Sequence, residues 1–167
     1  MSAAKALKPG STIGILGGGQ LARMLALAAA PLGLKCHIYA PEADSSAFQV
    51  SAAYTVAAYD ELVALKAFAA VVDAVTYEFE NVPVDTVAFL ETLVPVRPGS
   101  KALGVAQDRI KEKNLARSMG AMTAEFSAVV SLEDLKAAVA RQGLPGILKT
   151  TRMGYDGKGQ AKLVSAD

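Results

Sequence analysis

Thr12-Ile13-Gly14-Ile15-Leu16, then Gly17-Gly18-Gly19, then Gln20-Leu21-Ala22-Arg23-Met24-Leu25-Ala26-Leu27-Ala28-Ala29-Ala30, is the stretch that decides the fold of the first part of this chain. The opening run is short and apolar. The segment beyond the glycines is rich in Ala, Leu and Met, with apolar residues recurring at helical spacing. Pro31 and Gly33 close it. Strand, glycine turn and helix in that order open a Rossmann-like βα unit, so the fold class is α/β with a parallel sheet. Lys35-Cys36-His37-Ile38-Tyr39-Ala40 supplies the second strand, ending at Pro41-Glu42.

Outward from there, Ser51-Ala52-Ala53-Tyr54-Thr55-Val56 reads as a short third strand. Residues 60–70 form an amphipathic helix with Asp60 as its N-cap. Residues 74–80 are the next strand, followed by Asn81-Val82-Pro83 and a helix over about residues 84–93. Glu78 and Glu80 lie two apart, so an extended strand projects both to one side. Open parallel sheets bind ligands beyond the carboxyl ends of their strands. Carboxylates there, opposite the Gly17-Gly18-Gly19 turn, are candidates for hydrogen-bonding a small molecule; the plainer reading is a pair of solvated acids at a strand tip. Val94-Pro95-Val96-Arg97-Pro98-Gly99 is a short strand with a proline-glycine exit.

Composition changes after that exit, which places a domain boundary within residues 100–107 and two domains at 1–104 and 105–167. Residues 107–117 form a charged helix ending near Gly120, and residues 125–130 a strand. Ser131 caps a helix with acids in its first turn, running to Gln142 and stopping at Gly143. Residues 146–150 then enter Thr151-Arg152-Met153-Gly154-Tyr155-Asp156-Gly157-Lys158-Gly159, and residues 160–164 return as the second strand of a hairpin. Lys149 stands at the mouth of a loop holding Gly154, Gly157 and Gly159. Glycines let backbone amides approach an anion, and a lysine facing them neutralises charge, the pattern of a polyphosphate grip. A plain hairpin around Asp156-Gly157 is the alternative, but a bare turn needs none of Tyr155, Asp156 and Lys158. The Walker A order and the kinase glycine-loop order are both absent.

The bulk numbers limit the function. The chain has 167 residues, 52% of them apolar, enough for a buried core. No window reaches the ~18 unbroken apolar residues of a membrane span. The first nine residues lack a secretory core and read as a short lead-in. One cysteine, Cys36, permits no internal disulfide, which points to the cytoplasm. A net charge of +1 gives no support for nucleic-acid binding, although residues 1–100 carry −3 and residues 101–167 carry +4. A basic second half suits nucleotide phosphates. His37 has no chemical role, there is no Cys/His zinc cluster, and no Ser-His-Asp set is usable. Gly17-x-Gly19-x-x-Ala22, with Glu42 about 20 residues on, satisfies a dinucleotide fingerprint, so an NAD(P)-binding oxidoreductase module is the competing reading.

Four blocks carry a resemblance to a known family: Gly14-Ile15-Leu16-Gly17-Gly18-Gly19-Gln20-Leu21, Tyr77-Glu78-Phe79-Glu80-Asn81-Val82-Pro83, Gln107-Asp108-Arg109 with Glu112-Lys113, and Leu148-Lys149 through Gln160. In that order the chain resembles the N-terminal portion of the 5-(carboxyamino)imidazole ribonucleotide synthases, ATP-grasp ligases of purine biosynthesis. The resemblance implies a Rossmann-like pre-ATP-grasp domain followed by the first part of an ATP-grasp domain. It implies aminoimidazole ribonucleotide held at Gly18, Gly19, Gln20, Leu21 and Glu78. It implies ATP held by Arg109, Lys149, Gly154, Tyr155, Asp156, Gly157, Lys158, Gly159 and Gln160, with Tyr155, Asp156 and Lys158 where the two substrates meet. ATP would phosphorylate bicarbonate to carboxyphosphate, and the substrate amine would capture the carboxyl group, with no side-chain nucleophile. Mg²⁺ ligands are implied on a later domain and none is assigned here. The family also implies a homodimer, and a chain of this length as a fragment without turnover of its own. Ala22 stands for a usual glycine, Asn114 for a usual aromatic, and Met122 and Glu125 where prolines are common, which leaves the path of residues 121–126 open.

Overall fold

The computed structural model describes residues 6–154 and 157–165. The chain divides into two compact units, Met1–Leu103 and Gly104–Asp167.

The first unit is a parallel sheet of four strands. They are β1 (Thr12–Leu16), β2 (Lys35–Ala40), β3 (Ala53–Val56) and β4 (Ala74–Tyr77), in the order β3-β2-β1-β4. Helix α1 (Gln20–Ala29) follows β1, α2 (Leu62–Ala69) precedes β4, and α3 (Val84–Glu91) follows it. β1 is central, pairing Thr12 through Leu16 with Lys35 through Tyr39 on one side and Ile13 through Leu16 with Ala74 through Tyr77 on the other. Adjacent strand residues face opposite ways, and two cores result. Ile15, Cys36 and Ile38 pack with Ala22, Ala26 and Ala29 of α1 and with Ala47. Leu16, Tyr39 and Val75 pack with Leu65 and Phe68 of α2, Val87 and Leu90 of α3, and Val96 and Leu103. The alanine stripe at i, i+4 and i+7 lets α1 lie close on the sheet. Full burial of a leucine- or phenylalanine-sized side chain contributes about 1.5–3 kcal/mol, and here Ile15, Leu16, Ile38, Leu65, Phe68 and Leu90 are all below 2% exposed. Buried polar atoms are paired: the Thr86 hydroxyl donates to Tyr59 O at 2.6 Å and the Tyr39 hydroxyl to Ala58 O at 2.7 Å. Burial first, and the charges of Glu61 and Asp60 next, push the Tyr39 hydroxyl up to about 12.

Several expected details differ. The cap of α2 is Glu61, without a side-chain bond, so Asp60 does not cap it; Asp60 lies a residue too early for the amides it would need to reach. Strand β4 stops at Tyr77. Val96 makes only a bridge to Val75, through Val75 N to Pro95 O at 2.8 Å and Arg97 N to Val75 O at 2.9 Å. Pro95, which faces β4, has no N–H to donate, and the ladder cannot extend in that direction. Residues 100–106, where the sequence placed a domain boundary, are helix α4 (Ser100–Ala106), which buries Leu103.

In the second unit, α5 (Arg109–Ser118) is capped by Asp108, which accepts from Ile110 N at 2.9 Å and Lys111 N at 3.1 Å. α6 (Leu132–Gln142) opens on a reciprocal cap: Asp134 N donates to Ser131 Oγ, and Val130 N donates to Asp134 Oδ2, each at 3.1 Å. The Val130 amide and then the Ser131 hydroxyl hold the Asp134 carboxyl below its ordinary value. β5 (Gly146–Lys149) and β6 (Gln160–Leu163) form an antiparallel ribbon. Residues 125–130 are not the expected strand: among the described residues no strand pairs with them. Side chains hold that segment instead. Arg117 donates to Thr123 Oγ1 at 2.8 Å and bridges Glu125 at 3.2 Å, while the Arg117 and Lys113 cations sit 4.5 and 5.1 Å from the Phe126 ring centroid. Residues 121–126 are thereby fastened to α5 without the family's prolines.

Candidate functional site

Each unit brings together its own group of candidate residues. In the first, Gly17, Gly18, Gly19, Gln20 and Leu21 turn the chain from the carboxyl end of β1 into α1. Gly17 N donates to Tyr39 O at 2.9 Å, and Gly17 has φ +100°, left-handed backbone that favours glycine. A Cβ on Gly17 would lie 2.5 Å from the Glu78 Cγ.

Glu78 is the centre of this turn. Its amide donates to Leu16 O at 3.0 Å, placing it one residue past the end of β4. Its carboxylate accepts from Gly19 N and Ala22 N, both at 2.7 Å. A carboxylate on the first amides of a helix is favoured by the charge-assisted bonds and by the helix dipole. Two of the amides that a dinucleotide reading would turn to a pyrophosphate are thus held by the protein's own anion, which counts against that reading. Glu80 does not share a strand face with Glu78, because β4 has ended and Glu80 lies in the following turn. Gly19, Gln20 and Leu21 remain on the exposed side of the corner, Leu21 at 54%.

In the second unit, Lys149 is opposite Gln160 at the loop end of the ribbon. Thr150 N carries the pairing one step further, donating to Gly159 O at 2.8 Å. Gly159 has φ +67°, and a Cβ there would stand 2.6 Å from Thr150 Oγ1. A side chain at Gly159 would have to push that threonine aside. Gly157 is also left-handed, at φ +78°. Arg109 reaches the loop from α5: its amide donates to Thr151 O at 3.0 Å, and its Nη2 to Gly154 O at 3.0 Å. Arg109, Lys113, Phe126, Lys149 and Thr150 all line a cavity of about 520 Å³, of the size that holds small ligands. Lys158 belongs to the loop, whereas Tyr155 and Asp156 lie outside the described residues.

Reading the sequence left Thr150, Gln107 and Arg152 without roles. Arg152 Nη2 donates to Gln107 Oε1 at 2.7 Å across 45 residues. The only signal was their place in recognised blocks, Gln107 in the third and Thr150 and Arg152 in the fourth. Among the described residues, no group of three or more His, Cys, Asp or Glu could hold a metal ion.

A parallel βα domain with an acid-braced glycine corner, followed by a basic unit with a glycine ribbon loop, is the layout of a nucleotide-using synthetase. Comparison with known proteins agrees. The model of the ribonucleotide synthetase preATP-grasp domain matches residues 10–107, and the ATP-grasp domain model matches residues 114–167. The chain belongs to the ribonucleotide synthetase preATP-grasp family. It is 50% identical over 161 residues to the N5-carboxyaminoimidazole ribonucleotide synthase of Brucella melitensis, covering 96% of this chain and 44% of that protein. It is 54% identical over 157 residues to the bifunctional purine synthesis protein purC/E of Dictyostelium discoideum, covering 94% of this chain and 16% of that one. A crystal structure of the ADP complex of purK, N5-carboxyaminoimidazole ribonucleotide synthetase, matches with a TM-score of 0.93 at 42% identity, covering 98% of this chain and 44% of that chain. The chain thus spans less than half the length of these relatives.

Proposed function

We propose that this chain supplies the N-terminal part of an ATP-dependent carbon–nitrogen ligase. The ligase carboxylates 5-aminoimidazole ribonucleotide with bicarbonate, giving the 5-(carboxyamino) product of de novo purine synthesis. The observation that carries the reading is the ribbon loop. Lys149 stands at its mouth, Thr150 packs so close on Gly159 that a Cβ would displace it, and Arg109 reaches in from α5 beside a cavity of about 520 Å³. ATP phosphates are then bound by Arg109, Lys149 and the loop of Gly154, Tyr155, Asp156, Gly157, Lys158, Gly159 and Gln160. The ribonucleotide is seated at Gly18, Gly19, Gln20 and Leu21. Glu78 sets the shape of that seat, since both its oxygens already hold backbone amides.

Chemistry in such a site rests on holding reactants and neutralising charge. Phosphorylation of bicarbonate gives carboxyphosphate, and the substrate amine attacks its carboxyl carbon as phosphate leaves. Lys149, Arg109 and Lys158 offset charge on the transferring phosphoryl group, and the closed loop keeps water from carboxyphosphate. ATP-grasp chemistry uses Mg²⁺, but no described residue set of this chain fits a metal, so none is assigned to it. We place the protein in the cytoplasm, as a homodimer at the relatives' full length.

Calorimetric titration with ATP–Mg²⁺, aminoimidazole ribonucleotide and NADH tests this in a protein of the relatives' full length that carries this chain. Binding of the first two, with ATP binding lost in Lys149→Met, is expected. Tight NADH binding removed by changing Glu42 would overturn it, and ATP binding without any ribonucleotide binding would reduce the protein to a nucleotide sensor. Sedimentation at micromolar concentration reads the dimer.

A further inference from the structure

We propose that Arg152 and Gln107 are a positioning pair that pins the stem of the glycine loop to the start of α5, and so sets how tightly the loop holds ATP. The inference rests on the reading of that loop as the ATP phosphate site and adds residues to it that bind no substrate themselves.

The stem, residues 150–154, is held at three points. Thr150 N is tied to Gly159 O within the ribbon. Thr151 O accepts the Arg109 amide at 3.0 Å. Gly154 O accepts Arg109 Nη2 at 3.0 Å. Between the second and third points the chain must turn sharply, and Met153 does so at φ +59°, a left-handed conformation that a residue with a side chain seldom takes. Met153 is 67% exposed, so burial of its side chain does not hold it there. What does is the bond on its neighbour. Arg152 Nη2 donates to Gln107 Oε1 at 2.7 Å, and Gln107 is only 5% exposed. Arg152 itself is exposed, so the bond is half-buried, but a hydrogen bond from a charged donor is worth more than a neutral one.

The pair has a second consequence. Arg109 has two tasks, one hydrogen bond to Gly154 O and a proposed contact to phosphate. A guanidinium carries five N–H donors and can do both only if the loop carbonyl stays in place. Arg152–Gln107 keeps it there. Without the pair, Met153 relaxes to right-handed backbone, Gly154 moves, and Arg109 must choose between loop and nucleotide. Loss of the pair should weaken the ground-state grip on ATP more than the chemical step.

The test is steady-state kinetics of the full-length enzyme. In Arg152→Ala and in Gln107→Ala, KM for ATP should rise about tenfold with kcat changed by less than about twofold, the mark of lost uniform binding. KM for the ribonucleotide should not move. The double variant should be no worse than either single one, as expected for two halves of one contact. Gln107→Glu, which keeps the acceptor and adds charge, should hold KM for ATP at or below the parent value. This variant keeps the proposal open to refutation should an alanine variant fail to fold. Additive losses near a hundredfold, an unchanged KM for ATP, or a Gln107→Glu variant as weak as Gln107→Ala would each overturn it. Lys149→Met separates the two failures. If it too leaves KM for ATP unchanged, the loop is not the phosphate site; if it alone raises that KM, only the positioning pair is refuted.

Discussion

The two glycine-rich corners of this protein look alike on paper and are held in different ways. The corner at Gly17 lies on a four-stranded sheet between two cores, and a carboxylate from the neighbouring strand end clamps its amides. The corner at Gly159 sits on a two-stranded ribbon in a unit where, among its described apolar side chains, only Ala138 is buried. Hydrogen bonds from α5 and a threonine wedge take the place of a core there. A two-stranded ribbon is marginal by itself, so the second corner relies on polar ties that are weaker and easier to reset. Rigidity therefore belongs to the corner proposed to seat the ribonucleotide, and adjustability to the loop proposed to enclose ATP.

The contrast can be broken hardest from the core. Phe68→Ala should cost about 3–5 kcal/mol and remove the cooperative melting of the first unit. Hydrogen exchange at the α5 and ribbon amides of the second unit should change far less. A uniform loss of protection across both units would erase the distinction.

Next comes Gly17→Ala, which forces a methyl group to 2.5 Å from Glu78 at φ +100°. We expect about 2–4 kcal/mol of destabilisation, read by urea unfolding. Glu78→Gln keeps the shape, loses the charge on the α1 amides, and should lose about 1–2 kcal/mol. An equal loss in Glu80→Gln would show that the clamp is not specific to Glu78.

Gly159→Ala should cost about 1 kcal/mol, because Thr150 is a side chain that can turn away. The first unit's unfolding midpoint should stay put while ATP binding weakens. A large global loss would mean that the ribbon is as firmly built as the sheet.

The smallest effect is one of pH. Tyr39 ionises at about 12 in the folded state against 10.0 ordinarily. Its contribution is complete below pH 10 and is lost as pH rises through about 12, since the unfolded chain gives up the proton first. Burial, then the charges of Glu42 and Glu78, raises the Tyr59 hydroxyl in the same direction. Alkaline titration of unfolding should show first-unit stability falling in that window, and less steeply in Tyr39→Phe.

Much of this was present in the residue order. The 12–30 stretch named its strand, turn and helix because apolar period and glycines are local signals. Ser131 and Gly143 bounded α6 for the same reason, cap and stop both being written in the chain. The ribbon loop was legible because glycines, Lys149 and Lys158 have few other reasons to sit together. Tertiary structure alone decided that Glu78 turns inward onto Gly19 and Ala22, 59 and 56 residues away, instead of standing at a strand tip beside Glu80. It alone decided that residues 125–130 stay out of a sheet, since a strand exists only when a partner pairs with it. And it alone brought Arg152 to Gln107, because a hydrogen bond between distant residues depends on how the chain folds back and leaves no periodicity in the sequence to betray it.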